Sequence, residues 1–340
     1  MENPNDHERS LTMFDFNYFT PTKVVFGRGA EDQVAGLIKE FGGTKILIHY
    51  GGGSVVRSGL LKRVTDTLDS AGIAYVTLGG AVPNPHLGLV YEGIELCKKE
   101  NVDFLLAVGG GSAIDSAKAI GYGVANEGDV WDFYDYKRKA QGCLPVGVIL
   151  TLAATGSEMS DSSVITKEDG LVKRGYSSDF SRPRFAIMDP ELTMTLPDYQ
   201  TACGCTDIMM HTMERYFTNG GNMEITDALA EGLLRTVKKN ALILHDDPKN
   251  YDARKDRLYI HGSKGTITSE VEYNQAGELC YTVNTVGKDL VRKLNAPQNY
   301  TLETEQLGRC IENNEEPFVS PDFSVRNAKV LDMILKQIGY

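Results

Sequence analysis

The sequence predicts an α/β fold: a parallel-sheet N-terminal domain, a helical second domain, and a C-terminal pair of β-strands with two helices. Three observations carry this. Apolar, strand-like runs alternate with helix-like spacing through the first half of the chain. Two of those runs end in glycine turns, at residues 51–54 and 109–112. Beyond about residue 257 the pattern changes to alternating strands followed by helical segments.

Taken in order, residues 1–13 are polar and partly acidic. They are expected to form a disordered lead, not a signal or transit peptide. Val24-Val25-Phe26 is a short strand bounded by Gly27 and Gly29, and residues 30–41 have helical spacing. Lys45-Ile-Leu-Ile-His-Tyr50 is a buried strand ending in Gly51-Gly52-Gly53-Ser54. Residues 59–71 are helical, residues 75–78 form a strand leading to Pro83-Asn84-Pro85, and residues 87–100 are helical again. The run Phe104-Leu-Leu-Ala-Val108 then enters Gly109-Gly110-Gly111-Ser112, and a helix carrying Ile114, Ala117 and Ile120 follows at once.

Consecutive glycines let the backbone approach a ligand, while the free N–H groups of the following helix's first turn point at it. An anion such as the pyrophosphate of a dinucleotide suits that position. The spacing is not G-x-G-x-x-G, and a plain strand-to-helix turn would use the same glycines. Ligands of parallel α/β sheets sit beyond the carboxyl ends of the strands, however, and both glycine turns and the Pro-Asn-Pro segment fall there. Their convergence favours a dinucleotide site.

The chain has 340 residues, 35 glycines and a net charge of −11. That length allows two cores, and the negative charge disfavours nucleic acid or an anionic membrane surface as partner. No apolar run reaches the roughly 18 residues of a membrane span, so a cytoplasmic protein is expected. Six scattered cysteines without a C-x-x-C pair read as reduced thiols.

Residues 145–151 form an apolar strand ending in a hydroxyl cluster of Thr151, Thr155 and Ser157. These could bond ribose or carboxamide groups, or cap a helix. After Leu196-Pro197 a helical region extends to about residue 240 and contains Asp207 and His211. Four apart on a helix, they share a face; they could ligate one divalent cation or form an exposed hydrogen-bonded pair.

From about residue 14 to 254 the chain resembles the iron-containing (group III) alcohol dehydrogenases, in their butanol dehydrogenase and aldehyde reductase branch. The motifs are Asn17-Tyr-Phe-Thr-Pro-Thr-Lys-Val-Val-Phe-Gly27, Tyr50-Gly-Gly-Gly-Ser54, Pro83-Asn-Pro85, Gly109-Gly-Gly-Ser-Ala-Ile-Asp115, Asp129-Val-Trp-Asp-Phe133, Thr151-Leu-Ala-Ala-Thr-Gly-Ser-Glu158, Asp189-Pro-Glu-Leu-Thr193 and Asp207-x-x-x-His211. The resemblance implies a Rossmann-like dinucleotide-binding domain over residues 14–190, a helical metal domain, and a divalent metal, iron or zinc, between them. It implies hydride exchange with a small alcohol or aldehyde, and a homodimer. Carried across, Gly110, Gly111 and Ser112 would hold the pyrophosphate, with Asp115 of the same motif also cofactor-binding. Thr151 and Thr155 would lie by the nicotinamide, and Asn84 and Lys173 would line the cofactor cleft. NAD-preferring relatives often carry an aspartate after the first glycine-turn strand. Gly52, Gly53 and Ser54 offer no carboxylate there, so NADP(H) is expected over NAD(H). Asp207 and His211 match the first two metal ligands.

The resemblance also implies two later histidine ligands. His245 reads as an exposed residue at a helix end and His261 as part of a strand and turn, so the metal site is expected to be incomplete and the helical domain, residues 191–256, truncated. Residues 257–340 resemble instead the C-terminal end of the glucose-fructose oxidoreductase (Gfo/Idh/MocA) family, with strands at 257–267 and 277–283, a turn at 316–321, and helices at 299–311 and 324–334. That reading places a seam between residues 254 and 257. It leaves a second function open: a catalytically inactive NAD(P)-binding or interaction protein produced by gene fusion or truncation.

Overall fold

The computed structural model describes residues 19–217, 224–258, 277–285 and 288–296. The expected lead at 1–13, His261, the strand stretch 259–267, the turn at 316–321 and the helices at 299–311 and 324–334 lie outside the described residues. The chain divides into two compact units: Thr20–Ile208 with Asp246–Leu258, and Met1–Phe19 with Met209–His245 and Tyr259–Tyr340.

In the first unit, β1 (Lys23–Phe26) is followed by a 3-10 turn and α1 (Val34–Glu40). β2 (Lys45–Gly51) runs through the single turn α2 (Ser54–Arg57) into α3 (Leu60–Ser70). Then come β3 (Ala74–Ala81), α4 (Leu87–Glu100), β4 (Phe104–Gly109), α5 (Gly111–Ala125), the single turn α6 (Trp131–Tyr134) and β5 (Val146–Leu150). An antiparallel hairpin of β6 (Ser162–Lys167) and β7 (Val172–Ser177) precedes β8 (Phe185–Met188). A 3-10 segment at Pro190–Thr195 leads to α7 (Asp198–Tyr216), α8 (Glu224–Asp246) and α9 (Tyr251–Leu258), and the strands β9 (Gly277–Thr285) and β10 (Lys288–Ala296) follow.

The six main strands form one sheet in the order β1-β8-β5-β4-β2-β3, and every pairing in it is parallel. Parallel strands covered on both faces read as continuous apolar runs, and all of β4 and β5 is buried. The two-residue alternation sorts their side chains into two cores. Ile46, Ile48, Phe104 and Leu106 pack with Val34 and Ile38 of α1 and Val64 and Leu68 of α3. Leu47, Leu105, Ala107 and Val148 pack with Val90 and Ile94 of α4 and Ile114 and Ile120 of α5. Fully burying one such side chain is worth about 1.5–3 kcal/mol, which makes the central strands the rigid floor on which the loops are mounted.

Three features depart from the sequence expectations. The β6–β7 hairpin and β8 were not foreseen; Ser162, Ser163, Lys167 and Lys173 break any clean apolar alternation in the hairpin, and β8 is an apolar run of only four residues. The long helical region is described as two helices, α7 and α8, with 218–223 outside the described residues. Residues 257–258 end a helix, α9, instead of starting a strand. That helix is started by Asn250, whose Oδ1 accepts from Ala253 N at 3.0 Å. The buried Arg254 anchors it, donating to the carbonyls of Thr193 (2.6 Å) and Pro248 (2.8 Å). The strand at 277–283 is present within β9, and its antiparallel partner among the described residues is β10, not 257–267.

In the second unit, the Tyr216 hydroxyl donates to Glu231 Oε1 at 3.1 Å, joining the end of α7 to α8. Among the described residues no helix is long and apolar enough to cross a membrane. Cys97, Cys143, Cys203 and Cys205 are free thiols.

Candidate active site

Strand order decides which loops meet. β2, β4 and β5 are consecutive neighbours, with Tyr50 opposite Val108 and Gly109 opposite Leu150. Their carboxyl ends therefore lie side by side, and residues 51–54, 109–112 and 151–155 leave the sheet together. Thr151 N donates to Gly109 O at 3.0 Å, which fastens the third loop to the second.

The middle loop has the closest packing. Gly110 is the N-cap of α5, in extended conformation and without a side-chain cap, so the N–H groups of the first turn face outward. A Cβ on Gly111 would stand 2.5 Å from Thr155 Oγ1, and one on Gly110 would stand 3.1 Å from Leu152 Cβ. This is a cradle that any side chain would fill, and it fits a dinucleotide pyrophosphate. Ser112 lies in the first turn and is partly exposed. Thr151 is half-buried and Thr155 exposed, beside the same turn. Neither Thr155 nor Ser157 starts a helix: the chain turns there and runs on into β6.

Beneath the turn lies a network that sequence reading did not find. Lys118 is fully buried on α5, and its ammonium donates to Ser157 O (2.7 Å), Ser157 Oγ (3.1 Å), Ser160 O (2.8 Å) and Ser162 O (2.8 Å). Three carbonyl acceptors require all three ammonium hydrogens, so the geometry selects the charged form. Burial nevertheless pulls its pKa down to about 8, against the opposing pull of Asp115. Asp115, one turn earlier, accepts from Ser157 Oγ (2.5 Å) and Val164 N (3.2 Å); burial pushes its pKa up and Lys118 pulls it back. Ser163 Oγ, itself paired with the Tyr134 hydroxyl at 2.7 Å, donates to Asp115 O at 2.8 Å. The pair thus ties residues 157–164 to the helix that begins at the glycine turn. The signal was available: in the near-apolar run from 113 to 124, one Asp and one Lys stand three apart.

Asn84 and Lys173 are brought together, with Lys173 Nζ donating to Asn84 Oδ1 at 2.8 Å. Asn84 sits at a φ of 56°, a left-handed position that asparagine tolerates. The surrounding segment is stitched to the hairpin by Thr166 N donating to Pro85 O (2.8 Å) and Gly88 N to Glu168 Oε1 (3.1 Å). Gly52, Gly53 and Ser54 form the outer loop beyond β2, where Gly53 has a φ of 124° and Gly52 has open space around it.

Asp207 and His211 both fall on α7, where the boundary between the two units passes between them. His211 Nδ1 lies 3.3 Å from Glu214 Oε2. His245 is exposed in the last turn of α8. Among the described residues no three or more His, Cys, Asp or Glu side chains are placed to hold a metal ion. The described donors do not fit a complete metal centre.

Comparison with known proteins bears on this arrangement. The model of the iron-containing alcohol dehydrogenase family matches residues 21–190, and that of the family's C-terminal part matches residues 201–300. A probable NADH-dependent butanol dehydrogenase 2 of Bacillus subtilis is 45% identical over 255 residues, 75% of this chain and 64% of that protein. The NADPH-dependent aldehyde reductase YqhD of Escherichia coli is 38% identical over 252 residues, 73% of this chain and 64% of that protein. The crystal structure of NADH-dependent butanol dehydrogenase A from Thermotoga maritima superposes with a TM-score of 0.71 at 42% identity, covering 73% of this chain and 62% of that one. The chain spans less than two thirds of the length of these relatives.

These matches correct one expectation. The resemblance of residues 257–340 to the Gfo/Idh/MocA family is not borne out, because the alcohol dehydrogenase C-terminal model runs through the supposed seam at 254–257 and on to residue 300. With the two models of one family matched in order along residues 21–300, the chain belongs to the iron-containing alcohol dehydrogenase family.

Proposed function

We propose that this chain is an oxidoreductase interconverting a small primary alcohol and its aldehyde with a nicotinamide dinucleotide, NADP(H) in preference to NAD(H). One observation carries the reading: three adjacent strand ends deliver a glycine cradle flanked by an open glycine loop and by a threonine-lined loop. The bound cofactor supplies the hydride-carrying ring. The amides of Gly111 and Ser112 bind the pyrophosphate, the hydroxyls of Thr151 and Thr155 orient the nicotinamide half, and Asn84 and Lys173 border the cleft. Gly52, Gly53 and Ser54 take the adenosine half, where no carboxylate repels a 2′-phosphate. Relatives named for NADH and for NADPH both occur, so the absence of a carboxylate at 51–54 is the support for NADP(H).

In this reading residues 14–190 form the cofactor domain and residues 191–256 carry Asp207 and His211 as metal ligands, in a cytoplasmic homodimer. The second reading, a nucleotide-binding protein without turnover, is favoured by one observation: the described donors number too few for a metal centre. The deciding experiment is anaerobic NADPH oxidation with butanal, with and without Fe(II) or Zn(II), together with NADPH binding followed by fluorescence. Metal-stimulated turnover lost in His211→Ala supports the dehydrogenase. Binding without turnover under every condition supports the second reading, and no binding defeats both.

A further inference from the structure

Near the outer glycine loop, the two basic side chains at the start of α3 are spent in ion pairs. Arg63 pairs with Glu31 at 3.1 Å and Lys62 with Asp66 at 2.6 Å. Arg57 differs. It is exposed, and among the described residues it enters no ion pair or side-chain hydrogen bond. Its backbone is fixed by Arg57 N donating to Gly53 O at 2.9 Å. Its guanidinium folds back over the loop, so that a Cβ on Gly53 would lie 3.0 Å from Arg57 Nη1. Beside it Gly52 has no heavy atom within 4 Å of where its Cβ would be, and no carboxylate occurs in 51–54. An uncommitted guanidinium above an open, acid-free loop is a site for an oxyanion, and its planar fork matches phosphate geometry.

Strand order says which oxyanion. The pyrophosphate cradle at the end of β4 is one strand away from this loop, on the side opposite Thr151 and Thr155. A dinucleotide centred on the cradle with its nicotinamide toward the threonines directs its adenosine ribose toward residues 51–54. We infer that Arg57 is the specificity-determining residue of the cofactor site, holding the 2′-phosphate of NADP(H) over the Gly52-Gly53 loop. This rests on the cofactor reading above and adds the group that discriminates NADP(H) from NAD(H).

The test uses fragments that carry only the adenosine half. Binding of 2′,5′-ADP and of 5′-ADP to the whole chain is measured by titration calorimetry, for wild type, Arg57→Gln and Arg57→Lys, at low and at high salt. Wild type is expected to prefer 2′,5′-ADP by roughly tenfold to a hundredfold, the effect of a hydrogen-bonded charge pair. Arg57→Gln should lose that preference while binding 5′-ADP as before. Arg57→Lys, keeping the charge without the fork, should fall between, and added salt should shrink the wild-type preference. An unchanged preference in Arg57→Gln overturns the assignment while leaving the cofactor reading intact. Equal binding of both fragments to wild type overturns the assignment and the NADP(H) preference together. Failure of wild type to bind either fragment overturns the cofactor reading itself. Because Arg57 is exposed, all three proteins should melt together, and Arg57→Lys decides the matter if Arg57→Gln does not fold.

Discussion

Gly51-Gly52-Gly53-Ser54 and Gly109-Gly110-Gly111-Ser112 are the same four residues at the ends of neighbouring parallel strands, and the protein builds them in differently. The second turn follows a wholly buried strand and opens the fifteen-residue helix α5. It is pressed from outside by Leu152 and Thr155 and held from below through Asp115 and Lys118. The first follows a strand whose last two residues are half-buried, starts only a four-residue turn, and is largely open to solvent. An identical tetrapeptide can thus be a rigid cradle or an open rim. The difference comes from what packs against it, which fits the middle turn for a group common to every dinucleotide and the outer one for the group that varies.

The largest effect that would sharpen this contrast comes from Lys118. Replacing it by Met strands Asp115 and three carbonyls without their cation, and should lower stability by about 3–5 kcal/mol in urea unfolding. Adding Asp115→Asn should restore part of the loss, since no buried charge is then left alone. A Lys118→Met protein as stable as wild type would mean that the middle turn is not held from below.

The strand under the outer turn makes the next largest prediction. His49 is fully buried in β2; its Nδ1 lies 2.9 Å from Leu78 O, so that nitrogen carries the proton, and Nε2 has no partner among the described residues. Burial, partly offset by that hydrogen bond, lowers its pKa to about 4. Between the ordinary value of about 6.5 and that value, the unfolded chain takes up a proton that the folded chain refuses. Stability from this group is therefore fully present above about pH 6.5 and is lost as pH falls, by up to about 3 kcal/mol near pH 4. Urea midpoints from pH 7.5 to 4.5 measure this, and His49→Gln should flatten the slope. An unchanged slope would show that another group titrates.

Two glycine substitutions compare the turns directly. Gly111→Val drives a side chain into Thr155 and should cost about 1–3 kcal/mol and abolish NADPH binding, read by fluorescence. Gly52→Ala adds a methyl group to open space and should change stability by less than about 0.5 kcal/mol. Equal losses in both proteins would erase the distinction between cradle and rim.

Much of this fold was legible because a doubly covered parallel sheet writes itself as apolar runs between helical spacings. The strands at 45–50, 75–78 and 104–108 and the helices at 59–71 and 87–100 appear within a few residues of their expected places. The β6–β7 hairpin was not legible: it is polar, and it is held by bonds from Lys118 and Asp115, residues some forty positions earlier in the chain. The start of the strand expected at 257 was misplaced for a related reason, since residues 257–258 still belong to α9. Residues 251–258 look too polar for a packed helix, yet Arg254 is fully buried because Thr193 and Pro248 supply its acceptors. Pro248 is a near neighbour in the chain, but Thr193 lies 61 positions earlier and cannot be recognised from around residue 254. Within the candidate site, the glycines, threonines, Asn84 and Lys173 stood out by motif, whereas Lys118 belongs to no motif and is marked only by its place, with Asp115, in the near-apolar run 113–124.

The amino-acid order alone determined the alternation of strands and helices, the places where the backbone must turn tightly, and the absence of a carboxylate beside Gly52 and Gly53. These depend on near neighbours and on which residue types tolerate a turn. Only the tertiary structure decided that β2, β4 and β5 lie adjacent, that residues 157–164 are pinned to α5, and that the two Gly-Gly-Gly-Ser turns part company. Those outcomes follow from strand order and from long-range hydrogen bonds to buried charges, whose free energy exists only once water has been excluded from around them.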